Sequence, residues 1–162
     1  MRALSLPAGP RARQRLLDGA LQPQDVRVIP AAAGGPKGLV LNPLDRYLFG
    51  HWMAGSTHDI HLLGASIGAW RMACATLHDA DAALAELAED YITLRYEHAP
   101  GKAPTPTAAS RSFGDKLEQR LGRRAAEVLA SPRYRLHVFT SHGRHLLRRQ
   151  GRIRTPLGYL GA

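Results

Sequence analysis

With one cysteine, Cys74, in 162 residues, the chain can form no intramolecular disulfide. A disulfide-stapled secreted scaffold is excluded, and the cytoplasm is the expected compartment. Long apolar runs are lacking too. The opening Met1-Arg2-Ala3-Leu4-Ser5-Leu6-Pro7 has no apolar core of the about 7–15 residues a signal peptide needs, and no run approaches a membrane span. Acidic residues are scarce, 13 against 22 Lys and Arg, which leaves a net charge of +9. The excess lies in Arg2, Arg11, Arg13 and Arg15 and again across 144–154, while 79–90 is acidic. Such a balance favours anionic partners but does not choose a fold. With 44% hydrophobic and 22% charged residues, the composition is that of an ordinary globular protein, not a disordered tail or a collagen-like repeat. The length allows one domain or part of one.

What is present has the rhythm of an α/β protein. Residues 1–24 are expected to form a lead and a short helix over about 11–21, with Leu16, Leu17, Ala20 and Leu21 packing on one side. Residues 25–162 are expected to be an α/β domain. Val26, Val28 and Ile29 make a β-branched run ended by Pro30, and Ala31 to Pro36 forms a tight loop into a helix over about 36–53 with Pro43 as its break. A second run, Asp59-Ile60-His61-Leu62-Leu63, is closed by Gly64 and followed by a helical stretch through Trp70, Met72 and Ala73. Helical spacing recurs in Leu84, Leu87, Ala88, Tyr91 and Leu94, and in Phe113, Leu117, Leu121, Ala125 and Val128, on either side of a Pro-rich loop at 99–107. Tyr134, Leu136 and Val138 alternate with Arg135, His137 and Phe139 as a third strand. Strands interleaved with helices predict a mostly parallel sheet.

Two glycine motifs stand at strand-to-helix junctions. Gly64-Ala65-Ser66-Ile67-Gly68 matches G-x-S-x-G, the nucleophile elbow, in which glycines let strand and helix approach closely enough to project the serine from the sheet edge. Gly34-Gly35-Pro36-Lys37-Gly38 offers backbone N–H groups that can hold an anion or a developing oxyanion. Pro36 has no N–H, but none is needed at the first helical position, so Gly34 and Gly35 are the expected donors, with Ile67 N–H as a third. A phosphate loop is excluded by spacing: Gly38 is followed by Leu39, and there is no G-x-x-x-x-G-K-[ST].

Together these motifs resemble the patatin-like phospholipase family, whose oxyanion loop has the form G-G-G-x-[RK]-G one strand-helix unit ahead of its elbow. Here Gly34 and Ser66 are 32 residues apart, Lys37 and Gly38 match the loop, Gly64 and Gly68 match the elbow, and Ala33 replaces the first glycine. The resemblance covers about residues 25–80. It implies a three-layer α/β/α fold with a mostly parallel sheet and a Ser–Asp dyad acting on lipid or other acyl esters, with Ser66 as nucleophile and no cofactor. The family's base lies in a D-G-[GA] motif downstream of the serine. The one literal match, Asp18-Gly19-Ala20, comes too early and is expected to be a helix end. With the apolar ending Leu157-Gly158-Tyr159-Leu160-Gly161-Ala162, this leads to the expectation of a chain cut short at its C-terminus, lacking the aspartate.

His142, just past the third strand, is the alternative base, since serine–histidine pairs are common in hydrolases. His61 is expected to be a strand residue. His51, His58, His78, His98, His137 and His145 show no metal-ligand spacing, so no metal site is expected. Cys74 is expected to pack as a small apolar side chain. Arg144, Arg148, Arg149, Arg152 and Arg154, mixed with Leu146, Leu147 and Ile153, form either a solvated face or a peripheral contact with anionic lipid. No nucleic-acid-binding pattern accompanies them, and a nucleic-acid partner is not expected. The competing function is a non-catalytic basic binding module, for an anionic membrane surface or nucleic acid, in which G-x-S-x-G is accidental.

Overall fold

The computed structural model describes residues 7–95, 101, 103–148, 151 and 153–160. Three strands, β1 (Val28–Ala31), β2 (Ile60–Ala65) and β3 (Tyr134–Phe139), form one sheet in the order β1-β2-β3. Both pairings are parallel, as the interleaved pattern predicts, with Ile29 opposite Leu62 and Leu62 opposite Leu136. Parallel neighbours require crossovers, and helices supply them.

The helix α1 (Pro10–Asp18) precedes the sheet, and Asp18 is its last residue. It buries none of its side chains, and Leu17 is exposed, so the expected packing face is not used. Its tie to the rest is a contact of Arg15 with Asp25, 3.0 Å. Between β1 and β2 the expected single helix is composite: a 3₁₀ segment Gly35–Leu41, then α2 (Asn42–Tyr47), then a π turn Leu48–Trp52. Pro43 explains the first break, because it has no N–H for an i→i−4 bond and fits only a helix start.

After β2 come α3 (Ile67–Ala75) and α4 (Ala80–Thr93). The helix α5 (Pro106–Leu121) begins inside the stretch expected to be a Pro-rich loop, of which residues 99, 100 and 102 lie outside the described residues. Thr105 Oγ1 accepts from Ala108 N–H at 3.2 Å, and Pro106 occupies the first turn, a combination that starts a helix. A short 3₁₀ turn, Gly122–Arg124, leads into α6 (Ala125–Leu129), and α7 (Arg154–Leu160) follows β3.

The core lies on one face of the sheet. Ile60, Leu62 and Tyr134 pack there against Phe49, Met53, Met72, Leu84 and Leu87. Phe49 meets Tyr134 edge-on, with ring centroids 5.8 Å apart. Pairing puts Val28, His61 and Arg135 in one row of the opposite face and Pro30, Leu63 and His137 in the next. Among the described residues this second face is not covered by helices: Val28, His61, Arg135, His137 and Phe139 are all exposed. The two-sided covering implied by the resemblance is therefore absent from the described part. The physical reason is the alternation itself, which puts imidazoles and a guanidinium where a buried layer needs aliphatic side chains.

Candidate active site

Ser66 stands between β2 and α3 at the C-terminal edge of the sheet, where ligands of open parallel sheets bind. Its backbone, φ 52° and ψ −126°, is one that non-glycine residues rarely adopt. The cost is held by packing on both sides. A Cβ on Gly64 would meet Ala69 Cα at 2.4 Å, and one on Gly68 would meet Ala31 O at 2.1 Å. Both contacts are with backbone, which cannot move aside. The elbow glycines therefore let α3 lie against β2 and against the end of β1.

The loop after β1 comes beside the elbow through that same contact. Gly35, at φ 54°, takes the left-handed conformation that glycine allows at no steric cost, whereas Gly34, at φ 168°, is extended. A Cβ on Gly38 would lie 3.0 Å from Ile67 Cγ2, so the turn packs directly on the residue after the serine. Lys37 is exposed on this turn. Among the described residues, the N–H groups of Gly34, Gly35, Ile67 and Gly68 have no backbone hydrogen-bond partner. Two junctions with unpaired donors thus meet at one edge, the arrangement an oxyanion needs.

A cavity of about 260 Å³ opens at Ser66, lined by Ser66, Ile67, Trp70, Tyr91 and Phe113. Its aromatic walls come from three helices. Phe113 stands edge-on to Trp70, with centroids 5.7 Å apart, and lies 5.7 Å from the Tyr91 ring. The Tyr91 hydroxyl is 3.7 Å from the place a Cβ would take on Gly35, which puts it between loop and pocket. Helical periodicity marks Tyr91 and Phe113 only as inward-facing residues. No signal in the sequence assigns them to Ser66.

Among the described residues no carboxylate lines this cavity. Asp45 is buried and held by Arg71, and Asp90 is engaged by Lys116 and Arg120. Hydrogen bonding from Arg120 is the main influence that lowers the Asp90 pKa below the usual carboxylate value. His142 does not line the Ser66 cavity. It lines a cleft of about 390 Å³ formed with Gly143, Leu147, Leu157 and Gly158. Asp18 ends α1 and accepts from Gln14 Nε2 at 2.6 Å, as a helix-end residue does.

Cys74 is buried on α3, and desolvation pushes its thiol up to about 12, so it stays neutral and packs as expected. His61 is an exposed strand residue whose Nδ1 lies 2.9 Å from His137 Nε2. One further group of ligand-type side chains was not anticipated: His78, Asp79 and Glu127 bring ligand atoms within 4.8 Å of one another. The Arg124 guanidinium already sits among them, 2.5 Å from Asp79 Oδ1 and 2.9 Å from Glu127 Oε2. That cation satisfies the carboxylates and makes the cluster an ion-pair network joining α4 to α6.

The fold and site define an α/β protein with a parallel sheet, a strained serine at a strand-to-helix elbow and a glycine loop beside it. Comparisons with protein-family models, curated proteins and solved structures find no match for the chain.

Proposed function

We propose that the chain carries the nucleophile and oxyanion loop of a serine acyl hydrolase of the patatin-like kind, acting on lipid or other acyl esters. The observation that carries this reading is the geometry of Ser66: a φ of 52° at a strand-to-helix turn whose flanking glycines admit no side chain. Ser66 Oγ attacks the ester carbonyl, and its proton passes to a base. The carbonyl oxygen takes up negative charge facing the N–H groups of Gly34, Gly35 and Ile67. The C–O bond then breaks, the alcohol leaves with a proton, and water releases the acid from Ser66. The resemblance assigns the base to an aspartate of a D-G-[GA] motif, and the described pocket holds no substitute carboxylate. Its aromatic walls of Trp70, Tyr91 and Phe113 suit the acyl part of a substrate.

The test is active-site labelling. A fluorophosphonate probe is expected to modify the protein at Ser66, seen by mass spectrometry, and to leave Ser66→Ala unmodified. Without its base Ser66 is a weakly activated alcohol, so labelling is expected to be slow and is read after long exposure to excess probe, while turnover of a chromogenic ester by residues 1–162 stays low. Absence of labelling in both proteins sinks the reading. Robust ester turnover lost in His142→Ala would reassign the base.

A second reading concerns location. Arg144, Arg148 and Arg154 are exposed beside exposed Leu146, Ile153, Leu157 and Leu160, while Arg2, Arg149 and Arg152 lie outside the described residues. This mixture favours peripheral contact between a cytoplasmic protein and an anionic membrane surface. No described helix is long and apolar enough to cross a membrane.

A further inference from the structure

Arg71 and Asp45 are the feature of the core that the proposed chemistry leaves unused. Both side chains are about 6% exposed, and they meet in a bidentate pair, with Arg71 Nε 2.6 Å from Asp45 Oδ2 and Arg71 Nη2 2.8 Å from Asp45 Oδ1. Burying two charges is costly, and an apolar pair of similar volume is often as stable or more so, so stability alone is a weak reason for them. Their place in the fold offers a better one. Arg71 is on α3, the helix that starts after Ser66, and Asp45 is on α2, which continues the 3₁₀ segment beginning at Gly35. The rest of α2 is tied elsewhere: Asn42 Nδ2 donates to Leu84 O at 2.7 Å, and Arg46 pairs with Asp81 at 2.7 Å, both on α4. The aliphatic stem of Arg71 also borders the glycine turn, its Cδ 3.7 Å from the Cβ position of Gly38.

We propose that Arg71 and Asp45 are positioning residues that set the Gly34 and Gly35 loop against Ser66. A planar guanidinium on a carboxylate fixes direction as well as distance, which an apolar contact does not. Oxyanion stabilisation depends on that setting, because a displacement of about 1 Å far from the chemistry can cost 10²-fold in rate. The inference rests on the reading of Ser66 as nucleophile.

The experiment measures fluorophosphonate labelling of Ser66 as separate kinact and KI, with thermal unfolding in parallel, for the full chain and three variants. Asp45→Asn is expected to lower kinact about tenfold or more, and Arg71→Lys, which keeps the charge but not the fork, to lower it less. KI should hold in both, because Ile67, Trp70, Tyr91 and Phe113 still line the pocket. The double variant Asp45→Leu, Arg71→Met restores an apolar core and is expected to stay folded yet label as slowly as Asp45→Asn. A merely structural role would lower the labelled fraction and leave kinact of the folded protein unchanged. Wild-type kinact in the folded double variant overturns this inference alone. An unlabelled wild-type protein overturns the nucleophile reading, and this inference with it.

Discussion

At the scale of single residues, the firmest constraints are at glycines that no other residue can replace. The sequence marks Gly64 and Gly68 through a spaced motif, and the structure supplies the cause: added Cβ atoms would strike Ala69 Cα and Ala31 O at 2.4 and 2.1 Å. Gly68→Ala is therefore expected to destabilise the fold by about 3 kcal/mol or more, since the obstacle is backbone rather than a side chain that could turn away. Urea unfolding of the variant checks this, and a loss below about 0.5 kcal/mol would show that α3 can shift freely from β1. Gly114 offers a contrast within the same chain, because nothing lies within 4 Å of its would-be Cβ. Ser66 belongs with the constrained group. Its positive φ is a consequence of strand and helix being held together around it, and the chemistry proposed for it depends on that hold.

Elements were legible where their signals are local. All three strands overlap their β-branched or alternating runs, because strand period and burial of one face act within a few residues. Their ends differ: β1 leaves out Val26 and takes in Pro30 and Ala31, expected as its stop and the start of a loop, and β2 runs through Gly64 to Ala65. Pro30 is accommodated because β1 is an edge strand among the described residues. Helices were less faithfully marked. The run after β1 divides into three helical geometries at Pro43 and Leu48, and α5 starts at Pro106 within an expected loop. In that stretch proline is a starter, since Thr105 caps the helix that Pro106 opens. The junction of α4 and α6 is electrostatic. Arg124, chiefly by hydrogen bonding, holds the Glu127 carboxyl down to about 2 from an ordinary 4.5. A depressed carboxylate contributes stability that is complete above about 4.5 and is lost as pH falls toward 2. Wild-type stability is therefore expected to fall across that window, and Glu127→Gln should flatten the fall while lowering stability at neutral pH. Thermal midpoints measured from pH 2 to 7 test it, and parallel profiles for the two proteins would contradict it. The effect will be small, because Glu127 keeps about 31% exposure and water screens the pair.

For the molecule as a whole, one sheet face is packed and the other is open among the described residues. The open face carries His61, Arg135 and His137, and the C-terminal elements add exposed Arg144, Arg148 and Arg154 beside Leu157 and Leu160. With a net charge of +9, vesicle contact belongs at this scale. Sedimentation with vesicles containing phosphatidylserine is expected to carry the protein down at low salt, and neutral phosphatidylcholine vesicles should not. Replacing Arg144, Arg148 and Arg154 together by Gln should weaken binding by roughly 3 kcal/mol, at about 1 kcal/mol for each basic residue at the surface. Equal binding to neutral vesicles, or binding indifferent to the triple variant, would remove the membrane reading.

The sequence by itself determined what depends on a few neighbouring residues. These are the three strands, the two glycine junctions, the serine between strand and helix, and the surplus of positive charge. Glycine freedom and side-chain period are properties of short segments and survive being read without a fold. Only the tertiary structure decided what depends on segments far apart meeting. Trp70, Tyr91 and Phe113 became the walls of one cavity, and Asp45 found Arg71 across 26 residues to become a buried pair. Nothing local encodes those meetings, because they arise from how helices settle on one face of a sheet. The same settling put Gly38 against Ile67, and so brought two motifs 32 residues apart to one edge.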